Sequence, residues 1–202
     1  MEITGLFRWG REYARFWRVF PPYDGIRQIT VIPGNHDIGL GNGINLDHLD
    51  RFKQHFTNDT GTSAFISHCS HQLILLDTPS LLNTRTQEVP DAPFALLDTL
   101  ATSPRLPSVP RLLFTHIPLW RAPDTDCGPR REAKSGLREG GGYQYQNMLD
   151  LPLTTRILDL LWPIQGAFSG DDHDYCEAVH TVEGRRESFV EYTVKSFSWA
   201  MV

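Results

Sequence analysis

The spacing of apolar residues along the chain predicts a succession of helices and strands. Apolar side chains recur every three or four positions, as on one face of an α-helix, in residues 6–20, 46–56, 93–100 and 154–161. Short apolar or β-branched runs bounded by turn residues predict strands at 28–32, 64–67, 72–76, 111–114, 166–168, 178–182 and 188–194. Because helices alternate with strands until strands dominate near the end, the pattern predicts an α/β fold.

Composition narrows the class of protein. The chain has 202 residues, of which 40% are hydrophobic and 21% are charged, and these values are typical of one soluble globular domain. A net charge of −5 argues against a basic surface that grips nucleic acid. The longest apolar runs are far shorter than the roughly 20 residues that span a bilayer, and no signal peptide opens the chain. We therefore expect no membrane span and no targeting segment within these residues.

The cysteines and a long polar stretch give little information about function on their own. Cys69, Cys127 and Cys176 allow at most one disulfide and lack zinc-binding spacing, and Cys69 is expected to be buried. Asn58 begins an Asn-Asp-Thr pattern that matters as a glycosylation site only in a secretory compartment. Residues 122–145 lack periodicity and are rich in glycine, which predicts a surface loop.

Three short polar motifs each follow a predicted strand directly. They are Gly34-Asn35-His36-Asp37, Thr115-His116-Ile117-Pro118 and Gly170-Asp171-Asp172-His173. Side chains at the carboxyl ends of strands in an open α/β sheet converge on a common crevice. Imidazole nitrogens with amide and carboxylate oxygens form a ligand set for zinc, manganese or iron rather than calcium. Each motif alone is more typical of a structural histidine or a solvated turn, but the three together predict a metal site.

These motifs resemble the signature of the calcineurin-like metallophosphoesterases, which includes G-N-H-[DE], a later strand-end histidine and G-H-x-H. The chain most closely resembles the eukaryotic phosphodiesterases of the endoplasmic reticulum and Golgi that remodel glycosylphosphatidylinositol (GPI) anchors, and residues 170–176 resemble their fungal form. The resemblance covers nearly the whole chain. It implies an α/β/β/α sandwich that lacks its first strands, with residues 1–202 forming a single, partial metallophosphoesterase domain.

The resemblance also implies a role for each motif residue. Asn35, His116 and Asp171 would bind one metal ion, and His173 would bind a second. His36 would face the scissile phosphate as a general acid or charge stabiliser, with Asp37 orienting its ring. Separately, Arg121, Arg130 or Arg131 would contact a phosphate or lipid headgroup from the loop after His116, and Arg121 is the candidate selected.

Two divalent metal ions are the cofactors that the resemblance implies. Two cations can clamp both the attacking and the leaving oxygen of an in-line displacement at phosphorus. Asp171 stands where the family usually has a histidine, and a carboxylate is a harder ligand than an imidazole. We therefore expect manganese to be favoured, with zinc or iron as the other possibilities.

The chain departs from the family pattern before Gly34. It lacks the D-x-H or D-x-Q strand end and the later G-D pair, whose aspartate bridges the two metals, so the second ion retains only His173. Three interpretations stay open. The chain is part of an active phosphodiesterase in truncated form, a catalytically inactive binding or scaffolding module, or an active hydrolase of different specificity whose site has a single metal or is completed in another way.

The function implied by the resemblance is removal of ethanolamine phosphate from a GPI-anchor mannose during transport from the endoplasmic reticulum to the Golgi. The partner would be a GPI-anchor glycolipid or a GPI-anchored protein, and nucleic acid is not expected. Localisation at the endoplasmic reticulum and Golgi membrane would depend on segments absent from this chain.

Overall fold

The computed structural model describes residues 2–21, 31–57, 61–104, 108–133, 137 and 148–196. The chain divides into two compact units, Met1–Thr30 and Val31–Val202. The first unit contains helix α1 (Glu2–Val19), which confirms the predicted amphipathic helix. Its aromatic side chains contact one another along the helix, and the rings of Trp9 and Tyr13 stack 5.1 Å apart. The single-domain interpretation stays a prediction.

Six strands of the second unit form one mixed sheet. In chain order they are β1 (Ala64–His68), β2 (His71–Leu76), β3 (Arg111–Thr115), β4 (Gly166–Ser169), β5 (Cys176–Thr181) and β6 (Ser188–Thr193). The order across the sheet is β1-β2-β3-β4-β6-β5, with the four central strands parallel and the two edge strands antiparallel to their neighbours. These strands confirm six of the seven predictions and the α/β class.

The seventh predicted strand, at 28–32, falls mainly outside the described residues, and its last two residues are not in a strand. Every strand in the described ranges belongs to the one sheet, so the second sheet of the sandwich stays a prediction. None of the helices in the described part of the chain is long and apolar enough to span a membrane.

The helices of the second unit are short, except for two. They are α2 (Asn35–Ile38), α3 (Leu46–Phe52), α4 (Thr78–Leu81), α5 (Glu88–Thr102) and α6 (Leu151–Leu161), with a 3₁₀ turn at Gly41–Gly43 and a π turn at Lys53–Thr57. Helix α5 begins five residues before the predicted start at Pro93. Proline is typical of a first helical position, but here Pro93 lies inside the helix and forfeits one backbone hydrogen bond.

Helices α5 and α6 pack on one face of the sheet and form the main core. Leu97 and Leu100 of α5 and Ile157 of α6 are buried against alternate strand residues such as Leu113. The opposite face carries an aromatic row across adjacent strands, in which Phe168 stacks 5.1 Å from Phe114 and 5.7 Å from Tyr192. Since β3 and β4 are parallel, their carboxyl ends lie at the same edge of the sheet.

Candidate metal site

Side chains from the three polar motifs meet at this edge. The Nδ2 atom of Asn35 donates a hydrogen bond to Oδ1 of Asp171 at 2.9 Å. The Nε2 atom of His116 lies 3.2 Å from Oδ1 of Asn35 and 3.3 Å from Oδ1 of Asp171. The fold thus brings together three of the residues that the sequence nominated as metal ligands.

The backbone around these residues explains their close approach. Asn35 is the first residue of α2, and Gly34 before it packs against the imidazole. A Cβ atom on Gly34 would lie 3.0 Å from Cε1 and 3.1 Å from Nε2 of His116, so only glycine leaves the ring this space. From the other side, the N–H of Gly170 donates to the carbonyl oxygen of His116 at 3.0 Å. This hydrogen bond fixes the loop after β4 beside the loop after β3.

Burial within the cluster is uneven. The side chain of Asp171 is 2% exposed, whereas that of His116 is 26% exposed. Nε2 of His116 faces an oxygen of Asn35 and an oxygen of Asp171. A buried carboxylate needs hydrogen bonds or a cation to offset its desolvation, and here the amide of Asn35 donates one such hydrogen bond, with Nε2 of His116 at 3.3 Å.

Two of the three separations between donor atoms suit ligands of a single divalent cation. Ligand atoms that lie about 2.0–2.2 Å from an ion are separated from each other by about 2.8–3.6 Å at ordinary bond angles. The distances from His116 to the oxygens of Asn35 and Asp171 fall in this range. Among the described residues, no group of three or more His, Cys, Asp and Glu could hold a metal ion. The cluster here combines one histidine and one aspartate with the amide of Asn35. The second metal ion stays a prediction.

The remaining nominated residues lie close in sequence to this cluster. His36 is exposed in α2. The Oδ2 atom of Asp37 accepts the N–H of Gly34 at 2.8 Å and so helps to cap α2. His173 has a φ of 59°, and its carbonyl oxygen accepts the N–H of Ser196 at 3.1 Å. The catalytic roles of His36 and Asp37 and the ligand role of His173 stay predictions.

The guanidinium of Arg121 lies inside the protein. It forms an ion pair with Asp172, and its Nη1 donates to Oγ1 of Thr193 at 2.9 Å, while the residue is only 5% exposed. Burial lowers the pKa of Arg121, and the nearby carboxylates of Asp172 and Glu191 oppose that shift. The guanidinium of Arg121, which we predicted to bind phosphate, is thus already paired inside the protein. Its role in phosphate binding stays a prediction.

Sequence reasoning missed two structural features beside the cluster. The first is the carboxylate of Asp172, which is 1% exposed and also contacts Arg131. The second is a disulfide between Cys127 and Cys176. Cys69 is the free thiol. We expected it to be buried, but it is exposed, because it lies in the two-residue turn between β1 and β2, away from the core. Three cysteines alone do not specify which two of them pair.

The segment 127–133 is attached to the turn after β4 by further contacts. The Oδ2 atom of Asp174 accepts the N–H groups of Glu132 at 2.9 Å and Ala133 at 2.7 Å. Burial acts to raise the pKa of Asp174, but these hydrogen bonds and that from the N–H of Tyr175 outweigh it, so the pKa is lowered. The carbonyl oxygen of Cys127 also accepts the N–H of Glu177 at 3.1 Å. In the described part of residues 122–145, the loop is therefore well anchored.

A cavity of about 390 Å³ lies beside Arg121, away from the ligand cluster. Its walls come from α6, β5 and the segment after His116, and they include Trp120, Leu151, Leu158, Val179, His180 and Val182. His180 is fixed by a 2.8 Å contact with the fully buried Glu191, whose other oxygen accepts the N–H of Leu119. The segment that follows His116 thus connects the ligand cluster to the wall of the cavity.

Several known proteins are similar to this chain in sequence. No model of a known protein family matches the chain. The chain is 36% identical over 197 residues to Cell division control protein 1 of Saccharomyces cerevisiae, across 96% of this chain and 39% of that protein. It is 27% identical over 173 residues to the Metallophosphoesterase 1 homolog of Caenorhabditis elegans, across 85% of this chain and 46% of that protein. It is also 27% identical over 219 residues to Metallophosphoesterase 1 of Xenopus laevis, across 95% and 51% of the two chains.

The mixed α/β architecture with its six-stranded sheet is consistent with a metallophosphoesterase-like fold. The relatives named Metallophosphoesterase 1 support a metallophosphoesterase-like family, and that name indicates phosphoester hydrolysis with metal ions. The chain spans about 39–51% of the length of these three relatives.

Proposed function

We propose that this chain forms part of a metal-dependent phosphodiesterase that removes ethanolamine phosphate from a GPI-anchor mannose. The observation that carries the proposal is the convergence of Asn35, His116 and Asp171 at one edge of the sheet. The relatives named Metallophosphoesterase 1 support phosphoester hydrolysis. The glycolipid substrate rests on the resemblance of residues 170–176 to the anchor-remodelling branch.

In this proposal the three clustered residues hold a divalent cation, which when bound supplies Lewis-acid polarisation of the phosphoryl oxygens. Asn35 contributes a neutral oxygen, so the site carries less negative charge against an anionic phosphate. His36 adjoins Asn35 in α2 and is an exposed residue. It gives a proton to the leaving oxygen or stabilises charge there.

Manganese is the cation that we propose for this cluster. Asp171 presents a carboxylate oxygen, and harder oxygen ligands favour manganese relative to zinc. Substitution of Asp171→His should shift the ratio of zinc to manganese affinity toward zinc by about tenfold, on the scale of changes around metal ligands. The φ of 62° at this position is one that histidine tolerates better than most residues. An unchanged ratio in a competition titration would argue against this choice of metal.

The disulfide supports a site of action in the endoplasmic reticulum and Golgi. Disulfides persist in oxidising compartments such as the lumen of the secretory pathway and are rare in the cytosol. A GPI-anchor glycolipid or a GPI-anchored protein would meet the site there. Any attachment of the enzyme to the membrane itself would involve segments outside these residues.

Hydrolysis assays test the proposal directly. The enzyme of which this chain is proposed to form part, loaded with manganese, should hydrolyse bis(p-nitrophenyl) phosphate and release ethanolamine phosphate from a purified GPI glycolipid, detected by mass spectrometry. The variant His116→Ala should lose about 100-fold or more of this activity because it removes a ligand at the centre of the cluster. The variant His48→Ala, which changes an exposed histidine of α3, is the matched control and should retain activity.

The outcomes separate the competing interpretations. Equal hydrolysis by the wild type and His116→Ala would rule out the proposed site. Hydrolysis of the aryl ester without release from the glycolipid would point to a hydrolase of different specificity. Glycolipid binding without hydrolysis, unchanged by His116→Ala and His36→Ala, would identify a binding or scaffolding module instead.

A further inference from the structure

Asp172 is the most enclosed charged group beside the ligand cluster, and two arginines share it. Arg121 contacts Oδ2 of Asp172 through Nη2. Arg131 donates from Nη1 to the same oxygen at 2.8 Å and from Nη2 to Oδ1 at 3.3 Å. With Asp172 only 1% exposed, loss of either partner would leave charge poorly compensated in the interior. We call these three residues the Arg–Asp–Arg cluster.

The turn that carries Asp172 has an unfavourable backbone conformation on both sides of it. Asp171 and His173 have φ values of 62° and 59°, in the left-handed region where side chains other than glycine are disfavoured. The N–H of Asp172 also donates to the carbonyl oxygen of Gly170 at 2.7 Å, which closes a tight turn. Such conformations persist only where surrounding contacts hold them. The Arg–Asp–Arg cluster supplies contacts at the centre of this turn.

The two arginines come from opposite ends of one segment that begins just after a ligand residue. Arg121 follows His116 by five positions, and its Nη1 also donates to Thr193 of β6. Arg131 lies beyond Cys127, whose disulfide to Cys176 ties the segment to the strand that follows the turn. The cluster therefore links the loop after β3 to the loop after β4, and these two loops provide the imidazole and the carboxylate of the metal site.

We propose that Asp172 is a positioning residue for the metal site, acting through Arg121 and Arg131 to fix the turn that presents Asp171. This inference rests on the proposed function, because it assumes that Asn35, His116 and Asp171 bind a divalent cation. It assigns Arg121 to the support of the ligand turn instead of contact with the substrate. Residues that orient metal ligands typically change metal affinity by about 10–100-fold when they are replaced.

Manganese binding to the 202-residue chain, measured by isothermal titration calorimetry, tests this inference without reference to catalysis. Asp172→Asn keeps the shape of the side chain and removes its charge, and Arg131→Gln removes one partner from the less buried side of the cluster. Both variants should bind manganese at least about tenfold more weakly than the wild type. The double variant should be no weaker than the weaker of the two single variants, because the residues act as one unit.

A neighbouring arginine provides the matched control. Arg130 lies in the same segment, but its side chain is 70% exposed; it lies 3.8 Å from Glu177 and 5.0 Å over the ring of Tyr175, and it does not contact Asp172 in the described contacts. Arg130→Gln makes the same charge change as Arg131→Gln and should leave manganese affinity within about twofold, as expected of a weak exposed pair. Circular dichroism and the unfolding midpoint of each variant show whether it is folded, and Arg131→Gln carries the test if Asp172→Asn is not.

The results distinguish this inference from the function on which it rests. If the wild type binds no manganese, the proposed metal site is wrong, and the positioning role is wrong with it. If the wild type binds manganese and the folded variants bind it equally well, the metal site stands and the positioning role is overturned. If Arg130→Gln loses as much manganese affinity as Arg131→Gln, the loss comes from the change in net charge and not from the contact with Asp172. That result would also overturn the positioning role.

Discussion

Asn35 and Asp171 lie 136 positions apart in the chain, yet their side chains share a hydrogen bond of 2.9 Å. The other end of the Asn35 amide faces Nε2 of His116, so one short side chain contacts both of the other nominated ligands. The ligand set is thus assembled by the fold itself, through the parallel arrangement of β3 and β4 and the start of α2 against them. Any change that displaces one of the three residues should affect the other two.

Gly34→Ala tests this packing without removing a ligand. The backbone of Gly34, with a φ of −94°, is accessible to alanine, so the effect is purely steric. The added Cβ would lie 3.0 Å from Cε1 of His116, and the imidazole must shift. We expect manganese affinity to fall by about tenfold, as for other changes around metal ligands. Isothermal titration calorimetry measures the change.

Gly43→Ala is the control for that experiment. A Cβ at Gly43 would meet no atom within 4 Å, so this substitution adds the same methyl group in open space. Manganese affinity should be unchanged. Equal affinities for the Gly34 and Gly43 variants would show that the close approach of Gly34 to His116 has no role in the site.

Much of the fold was predictable, because hydrophobic periodicity specifies elements that bury one face. The predicted bounds of β1 to β6 agree with the structure to within two residues. The helix predicted over 46–56 agrees as closely, since α3 begins at Leu46 and is followed by the π turn that ends at Thr57. The start of α6 was predicted three residues late, because its first turn is set by a cap and not by periodicity. The Oδ1 atom of Asp150 accepts the N–H of Leu153 at 2.8 Å there.

The candidate site was predictable only in part. Asn35, His116 and Asp171 were nominated because each follows a predicted strand. In the structure His116 and Asp171 follow the parallel strands β3 and β4, whereas Asn35 begins α2, and the strand predicted before it is not confirmed. The burial of Asp172 was not predictable, since Asp171-Asp172 alone is typical of a solvated turn. Its partners Arg121 and Arg131 come from a segment without periodicity, and no local pattern indicates that two arginines will meet one carboxylate. The pairing of Cys127 with Cys176 depends on the same tertiary approach.

Removal of the disulfide should destabilise the protein strongly. It joins Cys127 and Cys176 across 49 positions, and a loop of that length constrains the unfolded chain by about 4 kcal/mol in the chain-entropy model. Cys127→Ser should therefore lower the free energy of unfolding, measured by urea titration, by several kcal/mol. Cys69→Ser, which changes the exposed free thiol, is expected to leave it within about 0.5 kcal/mol. Similar values for both variants would contradict a structural disulfide.

Asp77 should make the stability of the protein depend on pH. This carboxylate caps α4 and is fully buried, and burial raises its pKa from the ordinary value of 3.8, against the opposing effect of its hydrogen bonds to Ser80. The folded state therefore holds the proton more tightly than the unfolded state. The resulting stabilisation is complete below the unfolded pKa and is lost as the pH rises through the folded pKa.

The variant Asp77→Asn isolates that effect. Asparagine caps helices as well as aspartate does and cannot ionise, so the contacts with Ser80 persist. We expect the wild type to lose stability relative to the variant as the pH rises above about 4, the ordinary aspartate value, in urea titrations at constant salt. A difference between the two proteins that stays constant from pH 3 to pH 8 would show that Asp77 titrates normally.

Two threonines near the site offer opposite tests of buried hydroxyl groups. Within the described part of the chain, Oγ1 of Thr115 is buried and has no hydrogen-bond partner, whereas Oγ1 of Thr154 accepts the N–H of Trp120 at 2.9 Å. An unsatisfied buried hydroxyl costs free energy, so Thr115→Val should raise the free energy of unfolding by about 1 kcal/mol. Thr154→Val makes the same atomic change but leaves an amide without its acceptor, and it should lower the free energy of unfolding by about 1 kcal/mol. Urea titration of both variants gives the two signs directly. If Thr115→Val instead loses stability, the hydroxyl of Thr115 must form a hydrogen bond in solution. A bound water molecule is the simplest partner for this group, which lies one residue before His116.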